Sequence, residues 1–513
     1  MNGAEGLIAS AVASGVEVCF ANPGTTEMQM VGALDSVPGM RAVLTLFEGV
    51  ATGAADGYGR MADKPAMTLL HLGPGHANGI ANLHNARRAG TPVLAVIGDH
   101  PTWHLQNDAP LTSDIESLAW PVSKWVRRVQ TAKSLPGDAA DGIAAARALR
   151  SGVATLIVPG ECAWDAIPDA AARAAPPSPP VPADAAIESV AQILSGDAPA
   201  ALLLGGAGLR ARGLRAAARV AAASGAVLLS DTFISRVERG AGLPEVAKIP
   251  YFPEQANDLL SRFAHLVLVG TVEPVAFFGY PGQDGRVVPE GCALHALATP
   301  DEDVAAALEA LAERLRGAAP VAAASASRPA APQGALDPGS VGAALAAVQP
   351  DGAIVMDEAA TTGFPYWVAS SACPPHDYLG LTGGAIGQGL PCATGAAVAC
   401  PDRPVIAFQA DGSGMYTLQS LWTQAREGLD VTTVICANRE YRILRVELAR
   451  ADISQPGPQA QSLTSLADPA LDWVALAKGM GVPGAAVETA EDLVRELQRA
   501  LAEPGPHLIE ARI

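Results

Sequence analysis

An α/β protein of three doubly wound parallel-sheet domains is what this chain predicts, and three observations carry the prediction. Short apolar runs rich in β-branched residues alternate with longer helical patterns along the whole chain, the signature of parallel strands joined by covering helices. At 513 residues the chain is too long for a single core. Two Ala/Pro-rich stretches that cannot bury a core divide it. They are 171–185, with Pro176-Pro177-Ser178-Pro179-Pro180, and 317–340, with Ala322-Ala323-Ala324-Ser325-Ala326-Ser327. The expected domains are therefore 1–170, 185–318 and 338–513.

Composition narrows the partners. Lys and Arg number 34 against 52 Asp and Glu, a net charge of −18 that opposes nucleic acid and anionic membranes. The longest apolar runs fall short of a membrane span, and Met1-Asn2-Gly3-Ala4-Glu5 lacks a basic-then-apolar leader, so a cytoplasmic protein acting on small molecules is expected. Seven cysteines without a Cys-x-x-Cys pair argue against a disulfide framework or a zinc site and for buried packing residues.

In the first domain, Phe20-Ala21-Asn22-Pro23-Gly24-Thr25-Thr26-Glu27 reads as a strand end, a Pro-Gly turn and a helix start with threonine caps. The run from Phe47 to Arg60 places the Glu48 carboxylate at the start of a helix of small residues, where it also complements the helix dipole. Ala66–Leu70 and Pro92–Ile97 read as strands, and His71, directly after the first, should project from the sheet edge, where an imidazole can pass protons. The middle domain has strands at Ala200–Leu204 and Leu266–Val269; Gly205-Gly206-Ala207-Gly208 reads more readily as a structural turn than as a nucleotide site.

The third domain is the most informative. Ala353–Met356 reads as a strand. Val405–Phe408 and Val431–Cys436 read as buried strands one helical crossover apart, which brings Asp411 and Asn438 to the same carboxyl edge. Gly412 lets the backbone turn sharply. An Asp, an Asn amide and a nearby main-chain carbonyl suit Mg²⁺, which takes few protein oxygens and completes its shell with phosphate oxygens. In Thr382-Gly383-Gly384-Ala385-Ile386-Gly387-Gln388-Gly389-Leu390-Pro391, glycines permit close approach to a flat ring and Ile386 could wedge beneath it. Tyr441 to Leu448 reads as a covering helix with Leu444 and Glu447 on one face.

The order Ala410-Asp411-Gly412-Ser413, with Asn438 standing 27 residues after Asp411 and then Glu440, resembles the thiamine-diphosphate signature of 2-oxo acid decarboxylases and acetolactate synthases. The usual string begins Gly-Asp-Gly and ends Asn-Asn; Ala410 and Ala437 occupy those outer positions here, neither of them a ligand position. The resemblance implies that Asp411, Asn438 and the Glu440 carbonyl hold Mg²⁺, with Gly412, Ser413 and Tyr441 beside the cofactor. It implies that Glu48, hydrogen-bonded to the pyrimidine N1′, drives the aminopyrimidine toward its imino form. A carbonyl near Gly384 would accept from the 4′-amino group and Ile386 would bend the cofactor. Glu358-Ala359-Ala360-Thr361-Thr362 resembles the diphosphate-contact loop; the expected hydroxyl is missing at Ala360, and Thr361 or Thr362 would substitute through a helix N-terminus. The resemblance further implies pyrimidine-binding, central and diphosphate-binding domains, and a site shared between two subunits of a homodimer or homotetramer.

The reaction is set by fewer residues. His71 and Thr25 match an active-site His and a substrate-contacting Ser of benzoylformate decarboxylases, but Phe277-Phe278-Gly279-Tyr280-Pro281-Gly282, where those enzymes place a second His, has none. Leu444 and Glu447 fall where such enzymes line the substrate pocket. Leu266 to Pro274 lacks the Arg- and Asp-rich segment of flavin-carrying acetolactate synthases, so FAD is not expected. The chain as a whole is similar to flavin-free acetolactate synthase large subunit-like proteins. That implies a thiamine-diphosphate- and Mg²⁺-dependent decarboxylase or carboligase acting on a 2-oxo acid. Beside it stand a lyase of a 2-hydroxy ketone or 2-hydroxyacyl thioester, or benzoylformate decarboxylase-like activity, and, of another class, a non-catalytic cofactor-binding partner subunit, motivated by Ala410 and Ala437.

Overall fold

The apolar runs become strands close to their predicted positions in a computed structural model that describes residues 1–148, 150–168, 171–175, 178–283, 285–317 and 326–513. Of the two expected boundary stretches, Pro176, Pro177 and residues 318–325 lie outside the described residues. The chain forms two compact units, one of 1–177 with 328–370 and 380–513, the other of 178–327 with 371–379.

The first unit holds a parallel sheet of β1 (Val18–Asn22), β2 (Arg41–Leu44), β3 (Ala66–His71), β4 (Val93–Asp99), β5 (Trp125–Arg128) and β6 (Val153–Pro159), in the order β2-β1-β3-β4-β6-β5. β4 and β6 are buried along their whole length, as inner strands covered on both faces are. The order reverses between β1 and β3, and the crevice beyond their carboxyl ends is where such sheets take ligands.

In the second unit β7 (Ala200–Leu204), β8 (Val227–Ser230), β10 (Ala247–Lys248), β11 (His265–Val269) and β12 (Ala293–Ala298) form a parallel sheet in the order β10-β8-β7-β11-β12, while β9 (Val237–Arg239) pairs antiparallel with 376–378. The glycine turn after β7 is a packing feature: a Cβ on Gly205 would lie 2.6 Å from the Gly270 carbonyl oxygen.

The remaining sheet of the first unit contains β13 (Ile354–Glu358), β15 (Val405–Ala410), β16 (Val431–Ala437), β17 (Gly484–Val487) and β18 (His507–Arg512), all parallel in the order β17-β18-β16-β15-β13; β14 is the strand His376–Gly380. β13 runs two residues past its predicted end, because Asp357 and Glu358 are buried and stay in register with Phe408 and Gln409. The seven cysteines are free, and all but Cys400 are buried.

What ties the first unit together is the packing of helix Glu48–Ala62 on helix Gly389–Ala399. The first buries every residue from Glu48 to Met61, the second every residue from Gly389 to Val398. The contact is backbone on backbone. A Cβ on Gly57 would sit 1.9 Å from the Cys392 carbonyl oxygen, and one on Gly395 would sit 1.8 Å from that of Ala54. Beside this seam the buried Arg60 guanidinium grips Asp56 through two bonds of 2.9 and 2.8 Å and donates to the Gly380 carbonyl at 2.7 Å and to Thr382 Oγ1 at 3.0 Å. Thr91 and Gln388 also donate to Asp56, so the buried charges are fully engaged. Gly57→Ala is expected to destabilise the protein by about 3 kcal/mol, because the obstructing atom is main chain and cannot turn aside. A shift of the urea midpoint checks this; a midpoint equal to wild type would show that the helices can separate freely.

Candidate active site

At the carboxyl edge of the first sheet, the chain leaves β1, turns through Pro23-Gly24 and makes a 3₁₀ turn over Thr25–Glu27 before helix Met28–Ser36. The expected threonine caps are not what closes this turn. Neither threonine caps it; instead Glu27 reaches back to accept the Gly24 N–H at 2.8 Å, because a glutamate in the third position of so tight a turn spans the gap that a shorter hydroxyl does not. Glu27 is wholly buried and also accepts from Thr26 Oγ1 at 2.6 Å. Its third partner is His71 Nδ1, at 2.7 Å. Gly98 on β4 makes room, since a Cβ there would lie 1.9 Å from Glu27 Oε1, and Gly24 lies against the His71 ring. A carboxylate only accepts, so paired with it Nδ1 carries the proton and Nε2 is left for substrate or solvent. Thr25 sits exposed beside this group.

Glu48 is the first residue of its helix and 9% exposed. Its Oε2 accepts from Asn78 Nδ2 at 3.0 Å, and Gly75 leaves room for Oε1. Asn78 belongs to helix Leu72–Ala89, whose Asn82 donates both to the Gly49 carbonyl at 2.8 Å and to the Gly387 carbonyl at 3.3 Å. The start of the Glu48 helix and the glycine-rich loop are thus held by one amide.

That loop is pinned at alternate carbonyls. Gly383 O meets His84 Nε2 at 3.0 Å, Ala385 O accepts from Asn85 at 2.7 Å, and Gly387 O accepts also from Thr417 Oγ1 at 2.8 Å. No described hydrogen bond engages the Gly384 carbonyl, the acceptor expected to face the cofactor's amino group. Gly384 and Gly387 have φ of 76° and 91°, so glycine is required by conformation at both. Ile386, between them, is half-buried.

Adjacent parallel strands bring the metal motif together, as β15 pairs with β16 up to Ala410 opposite Cys436. Asp411, 2% exposed, accepts the Gly412 N–H at 2.8 Å and the Arg439 N–H at 2.7 Å; Asn438 Oδ1 accepts the Glu440 N–H at 3.0 Å. Burial pushes the Asp411 carboxyl above the usual range, against the pull of those N–H groups, and the nearby Glu440 pushes the same way. A buried acid beside a second acid is a place a cation relieves. Among the described residues no group of three His, Cys, Asp or Glu could hold a metal ion, so the donors here would be a carboxylate, an amide and a main-chain carbonyl. That oxygen set fits Mg²⁺ carrying phosphate oxygens. Gly412 serves close approach rather than a left-handed turn: a Cβ there would lie 2.5 Å from the Tyr441 ring. Ser413 accepts from Gln409 Nε2 and donates to the Ala410 carbonyl at 3.2 Å.

Glu358 departs from expectation. It opens the string matched to a diphosphate-contact loop, yet its side chain turns into the protein, accepting from the Gly387 N–H at 2.7 Å, the Gly389 N–H at 2.6 Å and Gln409 Nε2 at 3.1 Å. The cause is its place as the last buried residue of β13. Burial pushes its carboxyl up to about 7 in spite of these donors. Of the two expected hydroxyls, Thr361 is half-buried and Thr362 buried. The covering helix is Arg442–Arg450, with no buried residue; Leu444 is 47% exposed, and Glu447 lies 3.9 Å from Arg450. Three non-glycine residues at these loops adopt left-handed backbone: Leu72 (φ 50°), Ala360 (51°) and Arg439 (58°).

Sequence reasoning missed Glu27, Asn78, Asn82, Asn85, Glu358 and Gln409. The three asparagines carry a signal in hindsight, a polar stripe at positions four and three apart on one helix face. Glu27 and Glu358 each end a short apolar or turn segment and look like ordinary surface acids.

Comparison with known proteins agrees with this geometry. Residues 1–118 match the model of the thiamine pyrophosphate enzyme N-terminal TPP binding domain and 362–511 that of the C-terminal TPP binding domain. The chain belongs to the thiamine pyrophosphate enzyme family. It is 51% identical over 511 residues to the putative acetolactate synthase large subunit IlvX of Mycobacterium tuberculosis, covering 99% of this chain and 98% of that one. It is 30% identical to a benzoylformate decarboxylase of Pseudomonas aeruginosa over 97% of this chain and 96% of that one. Among solved structures it resembles a thiamine diphosphate-dependent 4-hydroxybenzoylformate decarboxylase of Rhodococcus jostii RHA1, with a TM-score of 0.86 and 25% identity over 100% of this chain and 99% of that one. Among the described residues no helix is long and apolar enough to cross a membrane.

The raised Glu358 carboxyl gives a pH prediction. Unfolded, the group ionises near 4.5, and folded near 7, so the contribution to stability is present below about pH 4.5 and is lost as pH rises through about 7. The loss is on the order of 3 kcal/mol. Urea midpoints of wild type and Glu358→Gln at pH 5 and pH 8 should show a fall with pH in wild type that is flattened in the variant; equal slopes would contradict it.

Proposed function

We propose that this chain is a Mg²⁺- and thiamine-diphosphate-dependent decarboxylase or carboligase of a 2-oxo acid, working in the cytoplasm as a homodimer or homotetramer. The observation that carries the reading is the bond from the Arg439 N–H to Asp411, which sets the carboxylate against the Asn438–Glu440 turn, whose amide and carbonyl oxygens would complete the donor set. Domains of 1–170, 185–318 and 338–513 would serve the pyrimidine end, the centre and the diphosphate end.

The residues divide the task. Asp411, Asn438 and the Glu440 carbonyl would hold Mg²⁺, with Gly412, Ser413, Thr361 and Tyr441 lining the diphosphate. Ile386 would support the ring and the Gly384 carbonyl would accept from its amino group. When bound, the cofactor supplies the electron sink for cleavage next to the 2-oxo carbon. Glu48, oriented by Asn78, would hold or move a proton at the pyrimidine nitrogen. His71, backed by Glu27, presents Nε2 for proton transfer to or from substrate, beside the Thr25 hydroxyl. Leu444 and Glu447 would border the substrate. Names borne by the relatives, acetolactate synthase and benzoylformate decarboxylase, support a 2-oxo acid over a 2-hydroxy ketone. The exposed large apolar side chains of Leu46, Phe364, Val368 and Tyr416 support association with a second copy.

Three experiments test this. Purified protein with thiamine diphosphate, with and without Mg²⁺, should release CO₂ from a member of a 2-oxo acid panel, and chelation should abolish release. Glu48→Gln should keep cofactor binding yet lose at least ~100-fold in turnover; full activity in that variant would sink the assignment. If each site takes Glu48 from one subunit and Asp411 from the other, Glu48→Gln and Asp411→Asn proteins, each inactive alone, should on mixing and subunit exchange recover about a quarter of wild-type activity. No recovery, with exchange confirmed, would place both residues in one chain's site.

A further inference from the structure

The strongest unassigned feature is a buried polar relay that begins at the Gly387 N–H and ends at the Asp411–Ser413 loop. Glu358 is 4% exposed and bridges two main-chain N–H groups, those of Gly387 and Gly389, at 2.7 and 2.6 Å. The same carboxylate accepts from Gln409 Nε2, which also donates to Ser413 Oγ. Ser413 Oγ in turn donates to the Ala410 carbonyl. Gly389 has no space for a side chain, since a Cβ there would lie 2.0 Å from Gln409 Oε1 and 2.9 Å from Glu358 Oε2. Glycine at 389 is therefore what lets Glu358 and Gln409 close over the loop.

We propose that Glu358 and Gln409 are positioning residues that fix the Ile386–Gly387 turn against the Asp411–Ser413 loop, setting the distance between the ring end and the diphosphate end of the cofactor site. This rests on the proposed function, in that Ile386 and Asp411 are taken to serve one cofactor. The geometry shows why the pair suits the task. Gly387 follows Ile386 directly, and the peptides on both sides of it are held, the Ile386–Gly387 peptide through its N–H by Glu358 and the Gly387–Gln388 peptide through its carbonyl by Asn82 and Thr417. Rotation of the Ile386–Gly387 peptide is the motion that would drop Ile386 away from a ring, and among the described bonds only that of Glu358 resists it from the N–H side. Gln409 lies on β15 two residues before Asp411, which follows the strand's end, so a shift of the Asp411–Ser413 loop moves the donor that braces Glu358. Neither side chain touches the cofactor in this reading; each acts through the main chain.

The test separates positioning from general stability. Wild-type protein loaded with thiamine diphosphate and Mg²⁺ is followed for hydrogen–deuterium exchange at the cofactor C2 by quenched NMR, with the dissociation constant measured by titration calorimetry. If wild type neither binds the cofactor nor exchanges, the proposed function fails, and this inference, which stands on it, is overturned with it. Given a competent wild type, Glu358→Gln, which turns one acceptor into a donor against an N–H, should slow exchange at saturating cofactor by about tenfold or more. The dissociation constant should rise by less than about threefold, since the diphosphate contacts are untouched. A variant with wild-type exchange at saturation overturns the proposal, as does one whose only change is weaker binding. Should Glu358→Gln not fold, Gln409→Met carries the test. It keeps both main-chain bonds of Glu358 and removes the link to Ser413, so slower exchange at saturation supports the proposal and wild-type exchange refutes it.

Discussion

Everything at this site hangs on how closely two helices meet. Helix Glu48–Ala62 carries the candidate acid at its start, and helix Gly389–Ala399 begins where the glycine-rich loop ends. They touch main chain to main chain, at Gly57 against Cys392 and Gly395 against Ala54. Were either residue larger, the helices would part, and Asn82 could no longer span the Gly49 and Gly387 carbonyls. The buried Asp56–Arg60 pair fixes the register of this contact, because its donors and acceptors come from both sides of the seam: Thr91 on one, Gly380, Thr382 and Gln388 on the other. Small residues set the distance and charge sets the alignment.

Among the described residues, the buried acids of the site pair with no Lys or Arg. Glu27, Glu48, Glu358 and Asp411 are all buried, and their hydrogen-bond donors are main-chain N–H groups, amides, a hydroxyl and an imidazole. Main-chain N–H and amide donors orient a carboxylate without neutralising it. Such groups keep their capacity to bind a cation or a proton, which is what a metal site and an acid–base site need. Arg60 and Arg128, the guanidinium groups that do pair with buried Asp56 and Asp99, stand in the framework, where fixed charge is an advantage.

Much of this was legible in the chain itself. Strand positions followed from apolar runs, and the carboxyl-edge placement of Asp411 and Asn438 followed from two such runs and one crossover, since a parallel pair admits little else. Glu48 was legible because it opens a helix of small residues. What escaped was every residue whose role depends on reaching across sequence. Glu358 looked like a loop residue because its strand partner, Gln409, lies 51 positions away and nothing local announces that the ladder extends to it. Glu27 was hidden because capping by threonine and bridging by glutamate begin from the same Pro-Gly-Thr-Thr string, and only the half-buried His71 ring tells them apart. Gly412 was read as a turn glycine; the Tyr441 ring above it arrives from 29 residues on.

Leu72, Ala360 and Arg439 hold the left-handed backbone that L side chains avoid, at a cost of about 1 kcal/mol or more each. They follow His71, precede Thr361 and separate Asn438 from Glu440, so each candidate loop carries one. Glycine would adopt the same angles freely, and such a change would relax the folded chain while loosening the loop it sits in. Breeding this protein for heat resistance alone would therefore meet its easiest gains at the positions where the site has most to lose, and thermal tolerance and chemical competence would be drawn from the same three peptide units.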